Sequence, residues 1–253
     1  MHAQREDAGQ DVGASARAPA HPHPRVTSFR ARHAALSERQ EETWARRWPD
    51  LGAEARNPDG SPPAPLDVPA WFGRRGPLIL EIGCGAGTST HAMAVEEPDL
   101  DVIAVEVYRK GLAQLMGAVE RDGLTNIRFV RGDGVDVLEH MLAPESLTGI
   151  RVFFPDPWPK SRHHKRRLLQ PATVALMADR LKPGGVLHAA TDHAEYAEQI
   201  AEVGDGEPQL RRIAQDRTDL PMSVRRPETK YEARGLRAGS AITELLWQKR
   251  DSP

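Results

Sequence analysis

The chain has 253 residues, 39% of them hydrophobic and 28% charged, enough for one large α/β domain with a tail or for two small domains. A formal net charge of −2 says nothing of partners, which only local charge can indicate, and one cysteine excludes an internal disulfide framework. No apolar run has the length of a membrane span and no apolar h-region lies near the N-terminus, so a soluble cytoplasmic protein is expected, as monomer or homodimer.

Residues 1–24 are rich in Ala, Gly, Pro, Gln and Asp, with almost no large apolar side chains. Such a stretch buries too little surface to offset its ordering entropy and is expected to be a disordered tail. His21 and His23 within it read as tail rather than as a metal tract. Residues 25–253 are expected to form a single domain. The spacing of Leu36, Trp44 and Trp48 predicts an amphipathic helix over 34–48, and the Pro-rich stretch 56–69 a loop. From Leu78 onward strands and helices alternate. Strands are predicted over Leu78–Ile82, Val102–Glu106, Ile127–Arg131, Ile150–Phe154 and Val186–Thr191, with helices near 88–96, 108–121, 171–181 and 194–203 between and after them. Two further strands, 210–215 and 241–249, are expected to pair antiparallel. The pattern predicts a doubly wound, mostly parallel, seven-stranded Rossmann-like α/β sheet with an antiparallel C-terminal strand and helices on both faces.

The first predicted strand runs into Glu81-Ile82-Gly83-Cys84-Gly85-Ala86-Gly87. Gly83, Gly85 and Gly87 permit a sharp turn and close approach of a ligand. The loop departs from the dinucleotide fingerprint, because its third glycine position holds Thr88. Glu81 at the strand end repels pyrophosphate and attracts an ammonium. S-adenosylmethionine (SAM) carries an α-ammonium and a sulfonium and no phosphate. Glu106 ends the second strand, where a carboxylate accepts from both ribose hydroxyls, and Asp133 follows the third, near where an adenine would rest. Cys84 reads as a small filler rather than as a nucleophile, since no histidine is nearby in sequence. No histidine has ligand spacing with acids or cysteines, so no metal is expected.

The fourth strand leads into Phe153-Phe154-Pro155-Asp156-Pro157-Trp158-Pro159-Lys160. Three prolines stiffen this loop and remove donors, fixing Asp156 at the carboxyl edge of the sheet. Trp158 either stacks on a base or packs the loop. Lys160 is placed to hold a phosphate. Arg162, His163, His164, Lys165, Arg166 and Arg167 follow at once, and such a run neutralises phosphates with little regard for sequence. Asp192, after the fifth strand, is placed to contact substrate or to cap the next helix. The segment Arg225–Glu232 is polar and without periodicity, and is expected to fold back over the substrate edge.

With these motifs, and with Thr229-Lys230-Tyr231-Glu232 followed by Arg234-Gly235, the chain resembles the bacterial tRNA (guanine-N7-)-methyltransferase family from about Trp44 to Arg250. The Phe-Phe-Pro-Asp-Pro-Trp-Pro-Lys run is the most specific element of the likeness. Where the family usually has Trp after Thr-Asp, this chain has His193. The resemblance implies SAM contacts at Glu81, Glu106, Asp133 and Asp156, and substrate contacts at Lys160, Asp192, Thr229, Lys230, Tyr231 and Glu232. It places RNA contact at Arg162–Arg167, and implies methylation of a guanosine at position 46 of the tRNA variable loop. On the residues alone two other readings stay open: a methyltransferase acting on another nitrogen, and a non-catalytic RNA-binding protein on the same scaffold.

Overall fold

The structure, a computed structural model, describes residues 27–29, 35–227 and 241–251. The predicted tail 1–24 and the segment Thr229–Glu232 lie outside the described residues. The described chain is built on one eight-stranded sheet. Its strands are β1 (Gly52–Glu54), β2 (Leu78–Ile82), β3 (Asp101–Glu106), β4 (Ile127–Arg131), β5 (Leu147–Phe153), β6 (Leu181–Thr191), β7 (Leu210–Ile213) and β8 (Thr243–Lys249). The spatial order is β1-β4-β3-β2-β5-β6-β8-β7. Every neighbouring pair from β1 to β6 is parallel, and β8 runs antiparallel to both β6 and β7.

β2 and β3 are buried at every position, as strands covered on both faces must be, and this explains why both read as mostly apolar apart from Glu81, Asp101 and Glu106. Helices α1 (Glu38–Leu51), α3 (Thr88–Glu96) and α4 (Arg109–Asp122) cover one face with Trp44, Ala94, Leu112, Leu115 and Met116. The other face is covered by α5 (Gly134–Asp136) with its following π turn (Val137–Met141), α6 (Pro171–Arg180) and α7 (Ala194–Gly206), through Leu138, Met177, Tyr196 and Ile200. Each such side chain, fully buried, contributes roughly 1.5–3 kcal/mol.

The seven expected strands are present with one addition. β1 pairs at the edge with β4 and follows α1 directly, at Gly52. Three residues of mixed polarity carry no period by which a strand is read. The first helix starts at Glu38, later than predicted, because Ser37 and Gln40 close a capping box there. The short α2 (Val68–Phe72) opens where loop was expected, capped by the Asp67 carboxylate on Ala70 N. The expected turn at 182–185 lies within β6 as an irregularity, with Gly184 in the left-handed region.

Candidate functional site

β2 through β6 all end at one edge of the sheet, and the order reverses direction between β2 and β5. That switch point is where an open α/β sheet leaves a crevice. The glycine loop after β2 and the proline loop after β5 flank it. A cleft of about 290 Å³ lies there, lined among others by Gly83, Gly85, Glu106, Asp133 and Asp156. The structure thus brings together five of the residues singled out in the sequence. Glu81 lies beneath rather than on the lining.

Gly83 and Gly85 adopt φ of 79° and 57°, and a Cβ built on either meets nothing within 4 Å. Both glycines therefore leave open space above a left-handed backbone, the cradle that a ligand approaching the main chain requires. Gly87 has a different task. It opens α3 with φ 74°, and a side chain there collides with Leu115 at 2.5 Å. Glu106 is buried, and burial pushes its carboxyl up, against the backbone N–H groups that bond its charged form. Oε2 accepts from Gly85 N (2.9 Å), and Oε1 from Val107 N (2.7 Å) and Tyr108 N (3.0 Å). The glycine loop and the turn into α4 are tied to one carboxylate. Asp133 caps α5 by accepting from Val135 N (3.0 Å).

Glu81 is buried and accepts from Thr90 Oγ1 (2.8 Å), while its Oε2 is buried without a hydrogen-bond partner. Burial raises its pKa, against the pull of Arg151 and Thr90. A buried carboxylate oxygen left open beneath a glycine cradle fits a cationic group, and the acids around the same cleft fit hydroxyl and amine donors. The residues present therefore fit SAM. Burial, with the charges of Glu106 and Glu81, holds the Cys84 thiol well above its ordinary range, which agrees with a filler and not a nucleophile.

The proline loop is held by unusual backbone. Phe154 and Trp158 have φ of 52° and 44°, a region costly for bulky residues. Phe154 N donates to Ala190 O (2.8 Å), fixing the loop to the end of β6 two residues before Asp156. Of the two readings for Trp158, the structure selects packing. Its ring is 3% exposed, its Nε1 donates to Ser28 O (2.8 Å), and the Arg166 guanidinium lies 3.7 Å above the ring centroid. Arg166 also donates to Thr27 O and Phe29 O, each at 3.0 Å. Ser28 and Phe29 in turn line the cleft. Sequence reasoning gave these N-terminal residues no role, because nothing local marks a segment whose partner lies 130 residues away.

The basic run divides. It forms a 3-10 turn (Ser161–Arg166) in which Arg162 and Lys165 are exposed, as is Lys160 before it. Arg167 is buried, donating to Pro157 O (2.8 Å) and Gln199 Oε1 (2.6 Å) with its guanidinium 4.9 Å from the Tyr196 ring centroid. His163 meets Trp158 edge-on, and His164 lies between Arg167 and Glu195. Of the two arginines that close the run, Arg167 is turned inward by these bonds, while the half-buried Arg166 ties the loop to residues 27–29. Asp192 is exposed, and it does not cap α7. That position belongs to His193, whose Nδ1 accepts from Tyr196 N (3.3 Å).

Below the site runs a buried polar row that no sequence pattern marks. Glu81, Arg151 and His188 are register partners across β2, β5 and β6. Arg151 donates to Glu97 Oε2 (2.6 Å) and to Ser223 O (3.3 Å), and Ser223 N donates to Glu97 Oε1 (2.5 Å). His188 Nε2 lies 2.8 Å from Glu244 Oε2, whose other oxygen accepts from Arg226 Nη2 (2.9 Å). Elsewhere, Asp136, Glu139 and His140 come close together, but both Asp136 oxygens accept from Arg56 at 2.8 Å. A larger cleft, about 440 Å³, lies between the basic turn and α7, where Glu202 and Glu207 repel an anion.

A family model described as "Putative methyltransferase" matches residues 75–245. A curated tRNA (guanine-N(7)-)-methyltransferase of Mycolicibacterium gilvum is 66% identical over 236 residues, spanning 90% of this chain and 89% of that protein. One of Mycobacterium sp. (strain KMS) is 67% identical over 231 residues, spanning 91% and 83%. Among solved structures, an rRNA methylase from Streptococcus thermophilus aligns with 70% of this chain and 88% of its own at 14% identity and a TM-score of 0.47.

Proposed function

We infer the site's working from one premise: the chain belongs to the tRNA (guanine-N(7)-)-methyltransferase family. Its reaction is transfer of a methyl group from S-adenosyl-L-methionine to N7 of a guanine in tRNA. The target we propose is the guanosine at position 46, in the variable loop. A tRNA substrate supports a cytoplasmic setting.

Guanine N7 presents its lone pair at the major-groove edge and needs no proton removed before it attacks. The protein's task is therefore to position and to stabilise charge. SAM, when bound, supplies the electrophilic methyl on its sulfonium. Glu81 offers its open buried oxygen to the cofactor's ammonium, and Gly83 and Gly85 let the main chain approach it. Glu106 and Asp133 accept from the nucleoside part. Asp156, locked between two prolines on the far wall of the same cleft, faces the purine as it gains positive charge. Its carboxylate also accepts from N1–H and the exocyclic amine of guanine, which adenine cannot supply together. Lys160 and Asp192 contact substrate near the mouth. Arg162 and Lys165 neutralise tRNA phosphates, and tRNA shape selects the partner. The proposed roles of Thr229, Lys230, Tyr231 and Glu232 concern residues outside those described.

The observation that carries this reading is the convergence of Gly83, Gly85, Glu106, Asp133 and Asp156 on one cleft at the switch point. The test is transfer of labelled methyl to unmodified tRNA transcripts, with and without the variable-loop guanosine replaced by adenosine. Loss of label with the replacement is the expected result. Equal label in both moves the target to another guanosine. No label in a protein that SAM still stabilises would overturn the tRNA substrate.

A further inference from the structure

Arg226 lies one residue before Pro227, where the described chain stops short of the 228–240 segment. Its side chain is 4% exposed and meets a carboxylate and two aromatic rings at once. Nη2 donates to Glu244 Oε1 (2.9 Å) on β8. The guanidinium sits 4.9 Å from the ring centroid of Phe154 and 5.5 Å from that of Phe153. Glu244 in turn is held by His188 of β6, whose ring lies 4.8 Å from Phe153, edge-on. These rings belong to the strained stretch whose next residues are Pro155 and Asp156. A planar, always-charged guanidinium suits such a place, because it bonds a carboxylate in its plane and stacks on an aromatic with its face.

We propose that Arg226 is a positioning residue for methyl transfer. It sets the height of the Asp156 loop through Phe154. The inference rests on the reading of Asp156 as the acid that faces the guanine. Among the described residues its contacts run to Glu244, Phe153, Phe154 and Pro227, so its influence should separate from SAM binding. Displacement of a reacting partner by about 1 Å costs up to roughly 100-fold in rate.

The test compares wild type, Arg226→Met and Arg226→Lys. Arg226→Met keeps the apolar stem and removes the charge; Arg226→Lys keeps the charge and removes the fork and the stacking face. Three quantities are read: SAM stoichiometry and Kd by calorimetry, single-turnover methyl transfer per SAM-binding site, and hydrogen exchange of the Phe154–Lys160 amides in the cofactor-free protein. Expected for Arg226→Met is a transfer rate at least about tenfold lower per SAM site, with SAM Kd within about twofold and faster exchange across the loop. Arg226→Lys, the milder lesion, should fall between and keeps the test decisive where Met at 226 prevents folding. An unchanged rate per SAM site, or a loss that follows SAM affinity in equal measure, would overturn the proposal. An absence of transfer by the wild type would instead overturn the reading on which it rests, and the proposal with it.

Discussion

Gly111→Ala tests whether α4 seats the cofactor loop. Gly111 is the third residue of that helix, and a methyl there meets Gly85 O at 2.3 Å and Gly85 C at 2.9 Å. Ordinary contact begins at 3.4 Å, so one partner must retreat by about 1 Å. By helix propensity alone the substitution should stabilise by up to about 1 kcal/mol. Overpacking opposes this by about 1–3 kcal/mol, and the net sign is a loss. The loop, and not the helix, should yield, since α4 is anchored in the core through Leu112, Leu115 and Met116. A 1 Å retreat of Gly85 breaks its 2.9 Å bond to Glu106. A hydrogen bond to a charged group contributes about 1.5–3 kcal/mol. SAM Kd should therefore rise about tenfold or more, at about 1.4 kcal/mol per factor of ten. Thermal melts should fall by about 2–4 °C for each kcal/mol lost. Melting with and without SAM, and calorimetric titration, read both numbers. A raised Tm with unchanged SAM Kd would refute the packing argument. A lowered Tm with unchanged Kd would show that the helix moves and the loop stays.

Asp156→Ala should keep the fold and lower kcat by about 100-fold or more, as loss of a preorganised electrostatic group does; single-turnover transfer checks it. For Glu81 the sign follows from burial: the folded carboxyl keeps its proton above the ordinary glutamate value of 4.5, so cofactor-free stability is full below that pH and declines as pH rises through the raised pKa. SAM, by favouring the ionised form, should bind more tightly across the same window, and Glu81→Gln should flatten both profiles in pH-dependent melts. Arg167→Met should lower Tm and transfer together, since it removes the bonds to Pro157 and Gln199. The double change Arg162→Ala, Lys165→Ala should leave Tm alone and reduce the salt slope of tRNA binding by about 1.5, measured by filter binding across salt.

Much of this molecule was legible because apolar runs and glycines act locally. Leu78–Ile82 and Ile127–Arg131 match the sequence reading to the residue, since buried parallel strands leave short, largely apolar runs. Glu106, Asp133 and Asp156 stand out because each ends or follows a strand, and the sheet brings strand ends to one edge. What stayed hidden depends on pairing across the fold. Arg151 with Glu97, His188 with Glu244 and Arg226, and Trp158 with Ser28 are separated by tens to more than a hundred residues, and each looked like an ordinary polar or aromatic position. The basic run is visible as charge, yet it is packing across the fold that turns Arg167 inward against Tyr196 and lays Arg166 over the Trp158 ring. Asp192 lost the cap to His193 by a single residue, a distinction that helix boundaries read from sequence do not resolve.

The Trp158–Ser28 bond has a consequence for how the protein is made. Ser28 leaves the ribosome early, but its anchor follows 130 residues later, after four of the five parallel strands that build the cleft. Closing so large a loop is unfavourable until the sheet exists to position both ends. The wall that Ser28 and Phe29 give the cleft should thus be among the last parts of the molecule to settle. A nascent or refolding chain then acquires its helices and central strands before it can hold a cofactor, so the onset of SAM binding dates the completion of the fold rather than its beginning.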